Sequence, residues 1–398
     1  MERALRGPVL LLGSTQTLAW ASSHYLPAIL AVPMARDLGI VPATVFAAFS
    51  LALLAAAAVG PWCGRMIDRH GGRPVLAGTN LAFAVGIGSL ALVQGPWSLM
   101  ASWLLIGAAM GCGLYDAAFS ALARLYGPRA RDAIAGITLL GGFASTVGWP
   151  LSAWMEAQWG WRGACVAWAA MHLVLGLPLN LLLPRSAAPA GGQAAAAGGA
   201  ALPGAAEQEL PPVSRHAPWL LAFTFAAMGF ITNAMAAHLP RLLQLAGATL
   251  ALAVLAGALI GPAQVAGRLL EMGLMRRLHP LVSARVATLG HPLGVLTLMA
   301  LGPAAAPVFA TLHGLGNGIN TIVRGTLPLM LFGARGYGAR QGWLTLPARF
   351  TAALAPYLAG LALDAWGAAT LWLTMALSLS ALSALLALHA PAARASPH

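Results

Sequence analysis

The chain has 398 residues, of which 59% are hydrophobic and only 8% are charged, and its mean hydropathy is +0.77. Soluble domains carry about 25% charged residues, so this composition excludes an ordinary soluble protein and predicts an integral membrane protein. The net charge is +12 and all 22 basic residues are arginines. They lie between apolar runs, without the basic patch and stacking aromatics of a nucleic-acid-binding surface.

The chain divides into two sets of six apolar stretches. A spanning helix needs about 20 largely apolar residues. Twelve such stretches lie near 8–33, 40–63, 74–94, 97–123, 132–157, 161–183, 217–240, 247–270, 281–302, 304–332, 341–362 and 366–389. Residues 184–216 are rich in Ala, Gly and Pro, which predicts a flexible linker. We therefore expect an all-α membrane fold of twelve transmembrane helices, with six-helix bundles at 1–183 and 217–398.

The distribution of arginines predicts the orientation in the membrane. With the N-terminus in the cytoplasm, only Arg36, Arg162 and Arg241 face outward, Arg324 and Arg349 lie within spans, and the remaining 17 face the cytoplasm. Positive residues concentrate on the cytoplasmic side of membrane proteins. We expect a multi-pass protein of the cell (inner) membrane with both termini and the linker in the cytoplasm.

Two short segments indicate that the second half repeats the first. The loop after span two reads GRMIDRHGGRP from Gly64, and span eight ends in GRLLEMGLMRR from Gly267. Each has Gly-Arg and then an acidic residue four positions after the glycine, Asp68 or Glu271, at the same place in its set of six. Agreement in sequence, position and offset favours a duplicated six-span unit.

The first of these segments resembles the signature of the major facilitator superfamily between spans two and three. The matching residues are Gly64, Asp68, Arg69, Gly71 and Arg73, while Gly72 stands where an arginine is common. The resemblance implies two six-helix bundles around a central cavity that rock between two states. It also implies that this loop is a cytoplasmic latch, and Gly267, Arg268 and Glu271 are the gating candidates of the second half.

Two departures separate the chain from drug/proton antiporters of that family. Trp103, in WLLIGAAMGCG, stands where many members place an arginine, and GGFASTVGWP in span five resembles their glycine-proline pattern only loosely. The GWR segment at 160–162 and the arginine in span ten resemble prokaryotic organic-anion carriers of the monocarboxylate or oxalate type.

Span ten carries a polar stripe. His313, Asn317, Asn320 and Arg324 are spaced by four, three and four residues, so they share one face of a helix. Polar and charged groups inside a bilayer are costly and face a cavity or a partner. We expect this stripe to bind substrate, with the alternative that Arg324 extends to the inner surface. Arg349 in span eleven is a second candidate, or an inner-gate arginine.

The first half offers candidates in two spans. Trp20, His24 and Tyr25 lie near the middle of span one, where the resemblance places cavity-lining residues. His24 titrates near neutrality and can carry a coupling proton, or it makes a packing hydrogen bond. Asp116 in span four is the other proton candidate, with a local charge ladder through Ser120 and Arg124 as the alternative.

These features predict a secondary transporter of a small organic solute that works by alternating access. A membrane arginine with no acidic residue expected beside it in its own bundle favours an organic anion, monocarboxylate-like and coupled to protons. The alternative is an efflux transporter for neutral or cationic drugs or metabolites. We expect no enzyme activity, no cofactor and no metal site, because the ten histidines are scattered and the three cysteines fall in or beside apolar runs. The expected partners are the substrate, the proton and the bilayer, and we expect a monomer.

Overall fold

The computed structural model describes residues 3–126, 130–184, 214–332 and 337–388, and every regular element in these ranges is helical. The first half contains α1 Arg3–Ser22, α2 Pro27–Leu38, α3 Pro42–His70, α4 Gly72–Leu90, α5 Pro96–Gly113, α6 Tyr115–Tyr126, α7 Ala130–Gly141, α8 Ala144–Met171 and α9 Leu177–Leu181. The second half contains α10 Ala217–Leu245, α11 Leu250–Gly273, α12 Pro280–Leu301, α13 Ala306–Phe332, α14 Tyr337–Trp366 and α15 Thr370–Ala387. Most of the predicted linker, residues 185–213, lies outside the described residues.

The prediction of an all-α fold with twelve spans is confirmed. Each second-half span is a single helix, α10 to α15, whereas spans one, four and five of the first half are each broken into two helices. Span six follows a kink at Gly160 and continues through a π-helical turn at His172–Gly176. By length and hydropathy alone, seven helical stretches of the described residues can cross a membrane, and two of them, of 46 and 45 residues, are long enough for two spans each.

The break in span one follows from its local sequence. Pro27 has no backbone N–H, so the helical hydrogen bond to the Ser23 carbonyl cannot form. In the turn before the break, the hydroxyls of Ser22 and Ser23 donate to the Leu18 and Ala19 carbonyl oxygens, at 2.8 and 2.5 Å. Residues 23–26 therefore form turns between α1 and α2, which places the side chains of this segment where two helix ends meet.

The apolar clusters that the two halves share lie on one side of the molecule. Because the chain crosses twelve times, α1 begins and α15 ends on the same side, which we call the terminal side, and the opposite side is the far side. On the terminal side each half has its own apolar cluster, one around Ile67 and Leu122 and one around Leu281 and Leu331. On the far side, the apolar clusters contain residues of both halves.

Specific contacts of α3 with α10 and α14 close the far side. The ring centroids of Phe46 and His238 are 3.8 Å apart, and the backbone N–H of Tyr357 donates to the Ser50 hydroxyl at 3.2 Å. The His238 ring also contacts the Pro356 carbonyl oxygen, at 2.6 Å. The structure therefore has a closed far side, and we call the region between the halves toward the terminal side the cleft.

Candidate functional site

The first-half wall of the cleft is an aromatic cluster built at the break in span one. Trp20 lies 4.9 Å from the His24 ring and 5.0 Å from the Tyr115 ring, measured between centroids. Tyr115 begins α6 directly after the break in span four and stacks on Phe119 at 5.4 Å. Two helix breaks thus bring spans one and four together around aromatic side chains.

His24 and Tyr25 lie on either side of this cluster. His24 is buried and also contacts Phe49 of α3, so its ring packs within the first half. Tyr25 faces the second half, and its carbonyl oxygen accepts a hydrogen bond from the Trp149 indole at 3.1 Å. That bond satisfies a carbonyl left free by the helix break.

The second-half wall is α11, and its central charged residue is Arg268. The Arg268 side chain is only 8% exposed, and its Nη1 donates to the Thr138 carbonyl oxygen of α7 at 2.5 Å. Its guanidinium also interacts with the Tyr115 hydroxyl and lies within electrostatic range of Tyr25. One arginine of the second half thus reaches three elements of the first.

Arg268 retains unused binding capacity. Among the described residues its Nε has no hydrogen-bond partner, although that atom is buried. The ion pairs of the described residues are Asp37–Arg162 and Arg241–Asp364, so no carboxylate lies within 4 Å of Arg268. Burying a charge is costly unless its hydrogen bonds are satisfied, and the Arg268 guanidinium has one unused donor inside the protein.

Glycines let α11 approach its neighbours closely enough to place Arg268. A Cβ added to Gly261 would lie 2.7 Å from the Gly142 carbonyl oxygen, and one added to Gly267 would clash with the Leu315 carbonyl oxygen of α13. Glu271 follows one turn after Gly267 and is buried, with its Oε2 unpartnered among the described residues. Gly267 therefore lets α11 pack closely against α13. This contact sets the positions of Arg268 and Glu271, which come next on the same helix.

The polar stripe of α13 faces several neighbours at different depths. The Asn317 side-chain oxygen accepts from the Thr232 hydroxyl at 3.2 Å, and Arg324 Nη2 donates to the Phe225 carbonyl oxygen at 3.4 Å, both in α10. Asn320 is buried on the same helix. His313 instead contacts His291 of α12, so the structure brings Asn317 and Arg324 to α10 and separates His313 from them.

The remaining candidates lie apart from this central group. Asp116 and Arg349 are exposed, on α6 and α14. Arg124, one of the residues proposed for a charge ladder with Asp116, donates to the Ile67 carbonyl oxygen at the end of α3. The Ser120 hydroxyl donates to the Asp116 backbone oxygen at 2.8 Å.

The signature segment, predicted as a loop, is instead the last turns of α3, Gly71 and the start of α4, and the structure requires glycine at Gly71 and Gly72. Gly71 has φ 88°, a region that favours glycine, and a Cβ on Gly72 would clash with the Ala121 Cβ of α6. Gly64 has open space around it. Asp68 and Arg69 are exposed and Arg73 is half-buried. The two consecutive glycines thus explain why Gly72 replaces the arginine common at this position: a longer side chain would meet α6.

Sequence reasoning missed Tyr115, which forms part of the aromatic wall, and predicted Arg268 as a gating residue without its contacts to the first half. One signal in the sequence was available: Gln264 and Arg268 are four residues apart and therefore share one face of a helix. In the structure this face meets the first half, where the Tyr25 hydroxyl interacts with Gln264. Trp103, which stands where many relatives have an arginine, is fully buried at 5.2 Å from Phe49. It packs inside the first half and supplies no charge to the cleft.

A cleft between two six-helix bundles, lined by polar and aromatic side chains from both, defines the architecture of a membrane transporter. The Major Facilitator Superfamily model matches residues 11–312, more than half of the chain. The protein belongs to the major facilitator superfamily, as the signature residues predicted, and its fold and family indicate a transporter and not an enzyme.

Solved structures of two transporters are similar to this chain across nearly its whole length. The crystal structure of a point mutant of the nucleoside transporter NupG has a TM-score of 0.75 and 14% identity, with 96% of this chain and 99% of that chain covered. A bacterial homologue of the human lysosomal transporter Spinster, in an inward-facing and occupied conformation, has a TM-score of 0.63 and 14% identity, covering 95% and 93%. At this identity they show the fold alone. The search of curated proteins finds no match.

Proposed function

We propose that this protein is a secondary transporter of a small organic anion, with a monocarboxylate-like head group, and that transport is coupled to protons. The observation that supports it is the buried Arg268 guanidinium, which has an unpartnered Nε among the described residues and lies between the two halves. A carboxylate can accept two parallel hydrogen bonds from one guanidinium. Arginine is therefore better suited than a point charge to hold this head group.

The surrounding side chains fit the rest of such a molecule. The hydroxyls of Tyr25 and Tyr115 lie near Arg268 and can donate to a carboxylate. Trp20 and Phe119 extend the aromatic wall beyond them and suit a small apolar body. We propose that the anion binds with its charged end at α11 and its body against α1 and α6.

Arg324 is the second cation in our proposal. It lies on α13, close to Phe225 and Gly229 of α10. These contacts are within the second half, whereas Arg268 contacts the first half. We propose that Arg324 raises the positive potential of the cleft and contributes a second contact for a larger anion. Asn317 and Asn320 on the same helix supply neutral hydrogen-bonding groups.

The cycle we propose moves the two halves as units, residues 1–183 and 217–398, joined by the linker 184–216. In this cycle the terminal side is the cytoplasmic side, and the state with a closed far side is the one that opens to the cytoplasm. Asp68 and Arg69 are exposed in this state, which is consistent with a latch that engages when the cytoplasmic side closes. The bond between Arg268 and Thr138 joins α11 to α7, so binding of an anion at Arg268 can alter a contact between the halves.

A transporter of neutral or cationic compounds is the alternative, favoured by the aromatic wall of Trp20, Tyr25 and Tyr115. Aromatic faces attract cations, but a cation would approach the buried Arg268, which has no carboxylate within 4 Å among the described residues; Glu271, three residues further along α11, is also buried. Asp116, exposed on α6, is the acidic group that could serve such a substrate.

Thermal unfolding of the purified protein in a panel of small molecules separates the two functions. Pyruvate, oxalate, a flat aromatic carboxylate, a quaternary amine and a neutral nucleoside are added in turn. We expect at least one carboxylate to raise the Tm of the native protein and of Arg65→Ala, whose arginine is exposed on α3, but not of Arg268→Ala. Stabilisation by the amine or nucleoside that persists in Arg268→Ala would favour the alternative.

A further inference from the structure

Two histidines form a buried pair in the second half, away from Arg268. Nδ1 of His291 in α12 lies 3.1 Å from Nδ1 of His313 in α13. Nε2 of His291 lies 3.0 Å from the Thr374 hydroxyl of α15. The two rings are 1% and 5% exposed, so the pair connects three helices inside the bundle.

The hydrogen-bond network assigns the protons of the pair. The Thr374 hydroxyl donates to the Leu371 carbonyl oxygen at 3.0 Å, so its oxygen accepts from His291 Nε2–H. His291 Nδ1 is then the acceptor and His313 Nδ1–H the donor, because a neutral imidazole has one N–H. This leaves a lone pair on His313 Nε2. One further proton, taken from water, adds there without breaking any bond of the network.

Charged groups lie away from this pair on every helix that packs around it. At about 1.5 Å per residue, Arg285 on α12 is about 9 Å along the axis from His291, and Arg324 on α13 is about 16 Å from His313. On α11, Ile260 and Ala263 approach Gly314, and Arg268 and Glu271 are about 8 and 12 Å beyond Ala263. The sequence of α15 has no titratable residue. On α10, His238 contacts the Pro356 carbonyl oxygen, and Arg241 pairs with Asp364 of α14. The other charged residue of α14 in this region, Arg349, is exposed.

The pair therefore has no fixed counter-charge among the described residues, and its protonation depends on access to water. Burying a cation without a partner is costly, so the conformation with a closed far side favours the neutral pair. His313 is seven residues from the far-side start of α13, about 10 Å in. A conformation open on the far side would bring water closer to it and favour the protonated pair.

We propose that the His291–His313 pair is the proton-binding site of this transporter, filled when the far side is open and emptied when it closes. The coupling to substrate rests on the proposed function, and α13 provides the connection, since the helix that carries His313 also carries Asn317 and Arg324. The first half has a buried histidine of a different kind. His172 lies between the Ser22 hydroxyl and the Asn80 side-chain oxygen, at 2.8 and 3.0 Å, instead of against a second imidazole.

The test measures conformation against pH without substrate, in nanodiscs. Nitroxide labels are attached at Leu92→Cys and Leu301→Cys, exposed far-side positions in the two halves, after the three native cysteines are replaced. Electron-electron resonance then gives the distance distribution between pH 5 and 9. We expect a longer-distance population that grows as the pH falls, because protonation favours the state with the larger affinity for the proton.

His313→Gln and His291→Gln should each abolish this pH dependence, and His172→Gln should retain it. Size-exclusion profiles identify any variant that fails to fold. If one of the two pair variants does not fold, the other one tests the proposal. An unchanged pH dependence in a folded pair variant, or no pH dependence in the native protein, would overturn the proposal. Carboxylate stabilisation at pH 8 should persist in His313→Gln, whereas Arg268→Ala should lose it and keep the pH-dependent distances, so the two proposals fail separately.

Discussion

Arg268 of α11 donates a hydrogen bond to the backbone carbonyl oxygen of Thr138 in α7, at 2.5 Å, and thereby joins the two halves of the protein. A neutral carbonyl is a weaker acceptor for a guanidinium than a carboxylate is. An entering anion would therefore compete for Arg268 with a bond that holds the halves together. Substrate binding and movement of the halves would then involve the same side chain.

Arg268→Lys separates the charge of this residue from its shape. The lysine keeps a positive charge but cannot form two parallel hydrogen bonds with a carboxylate. Hydrogen bonds to charged groups contribute about 1.5–3 kcal/mol each, and about 1.4 kcal/mol is tenfold in affinity. We expect carboxylate affinity to fall about tenfold or more in Arg268→Lys and further in Arg268→Ala, measured by isothermal calorimetry. Equal carboxylate affinities of Arg268→Lys and of the native protein would show that the two parallel hydrogen bonds do not contribute to binding.

Gly261→Ala tests the close contact between α11 and the start of α8. An added Cβ would lie 2.7 Å from the Gly142 carbonyl oxygen, whereas Gly273, on the same helix, has open space around it. We expect Gly261→Ala to lower the Tm and to weaken carboxylate binding, because the clash moves Arg268 away from Thr138. Gly273→Ala is the matched control and should leave both unchanged. Similar effects of the two substitutions would mean that helix propensity, and not the contact, is responsible.

Arg324→Ala tests the second cation. Its guanidinium contacts α10, whereas Arg349 is exposed on α14. If Arg324 contacts the bound anion, its loss should reduce carboxylate affinity by about tenfold, with a smaller loss in Arg349→Ala. Should Arg324 act only by pairing with Asp116 during the cycle, Arg324→Ala/Asp116→Ala would recover transport. Recovery in that double variant would remove Arg324 from the substrate site.

The Asp37–Arg162 pair on the far side predicts a specific response to acid. The hydrogen bond from Arg162 lowers the pKa of the exposed Asp37 carboxyl. A lowered pKa in the folded state contributes stability above the ordinary value, and this contribution is lost as the pH falls through the lowered value. The Tm advantage of the native protein over Asp37→Asn, measured by differential scanning fluorimetry, should therefore shrink in acid. A Tm difference between the two proteins that stays constant from pH 7 downward would contradict this prediction.

Arg162→Gln should lower the Tm more than Asp37→Asn does. Arg162 also donates to the Ala91 and Val93 carbonyl oxygens, at 3.1 and 2.8 Å, and lies over the Trp161 ring at 4.1 Å. Losing the arginine breaks all of these contacts, whereas losing the carboxylate breaks one exposed pair, which is worth little. An equal decrease in Tm for both variants would show that the hydrogen bonds of Arg162 to the two carbonyl oxygens do not stabilise the protein.

Local sequence was sufficient for the spans and for the signature segment, but not for partners in space. Pro27 and the consecutive glycines Gly71 and Gly72 act through their own backbone, so their effects can be derived residue by residue. The contact of Arg268 with Tyr115 joins positions far apart in the chain, and nothing in the spacing of either segment fixes it.

The stripe on α13 shows the same limit within one helix. Helical spacing correctly places His313 and Arg324 on one face of a helix, yet one meets α12 and the other α10. Packed helices cross at an angle, so the neighbour facing a given stripe changes along its length. Periodicity therefore identified the polar face, and only the packing identifies what each residue on it contacts.

Counterflow in proteoliposomes tests the central claim, that this protein moves an organic anion through the cleft at Arg268. Vesicles loaded with the carboxylate that most raises the Tm are diluted into a trace of the same compound carrying a radiolabel. We predict transient accumulation of label with the native protein and with Arg36→Ala, whose arginine is exposed on α2, and none with Arg268→Ala. Accumulation in Arg268→Ala equal to that of the native protein would contradict the account, as would accumulation of the quaternary amine or nucleoside but of no carboxylate.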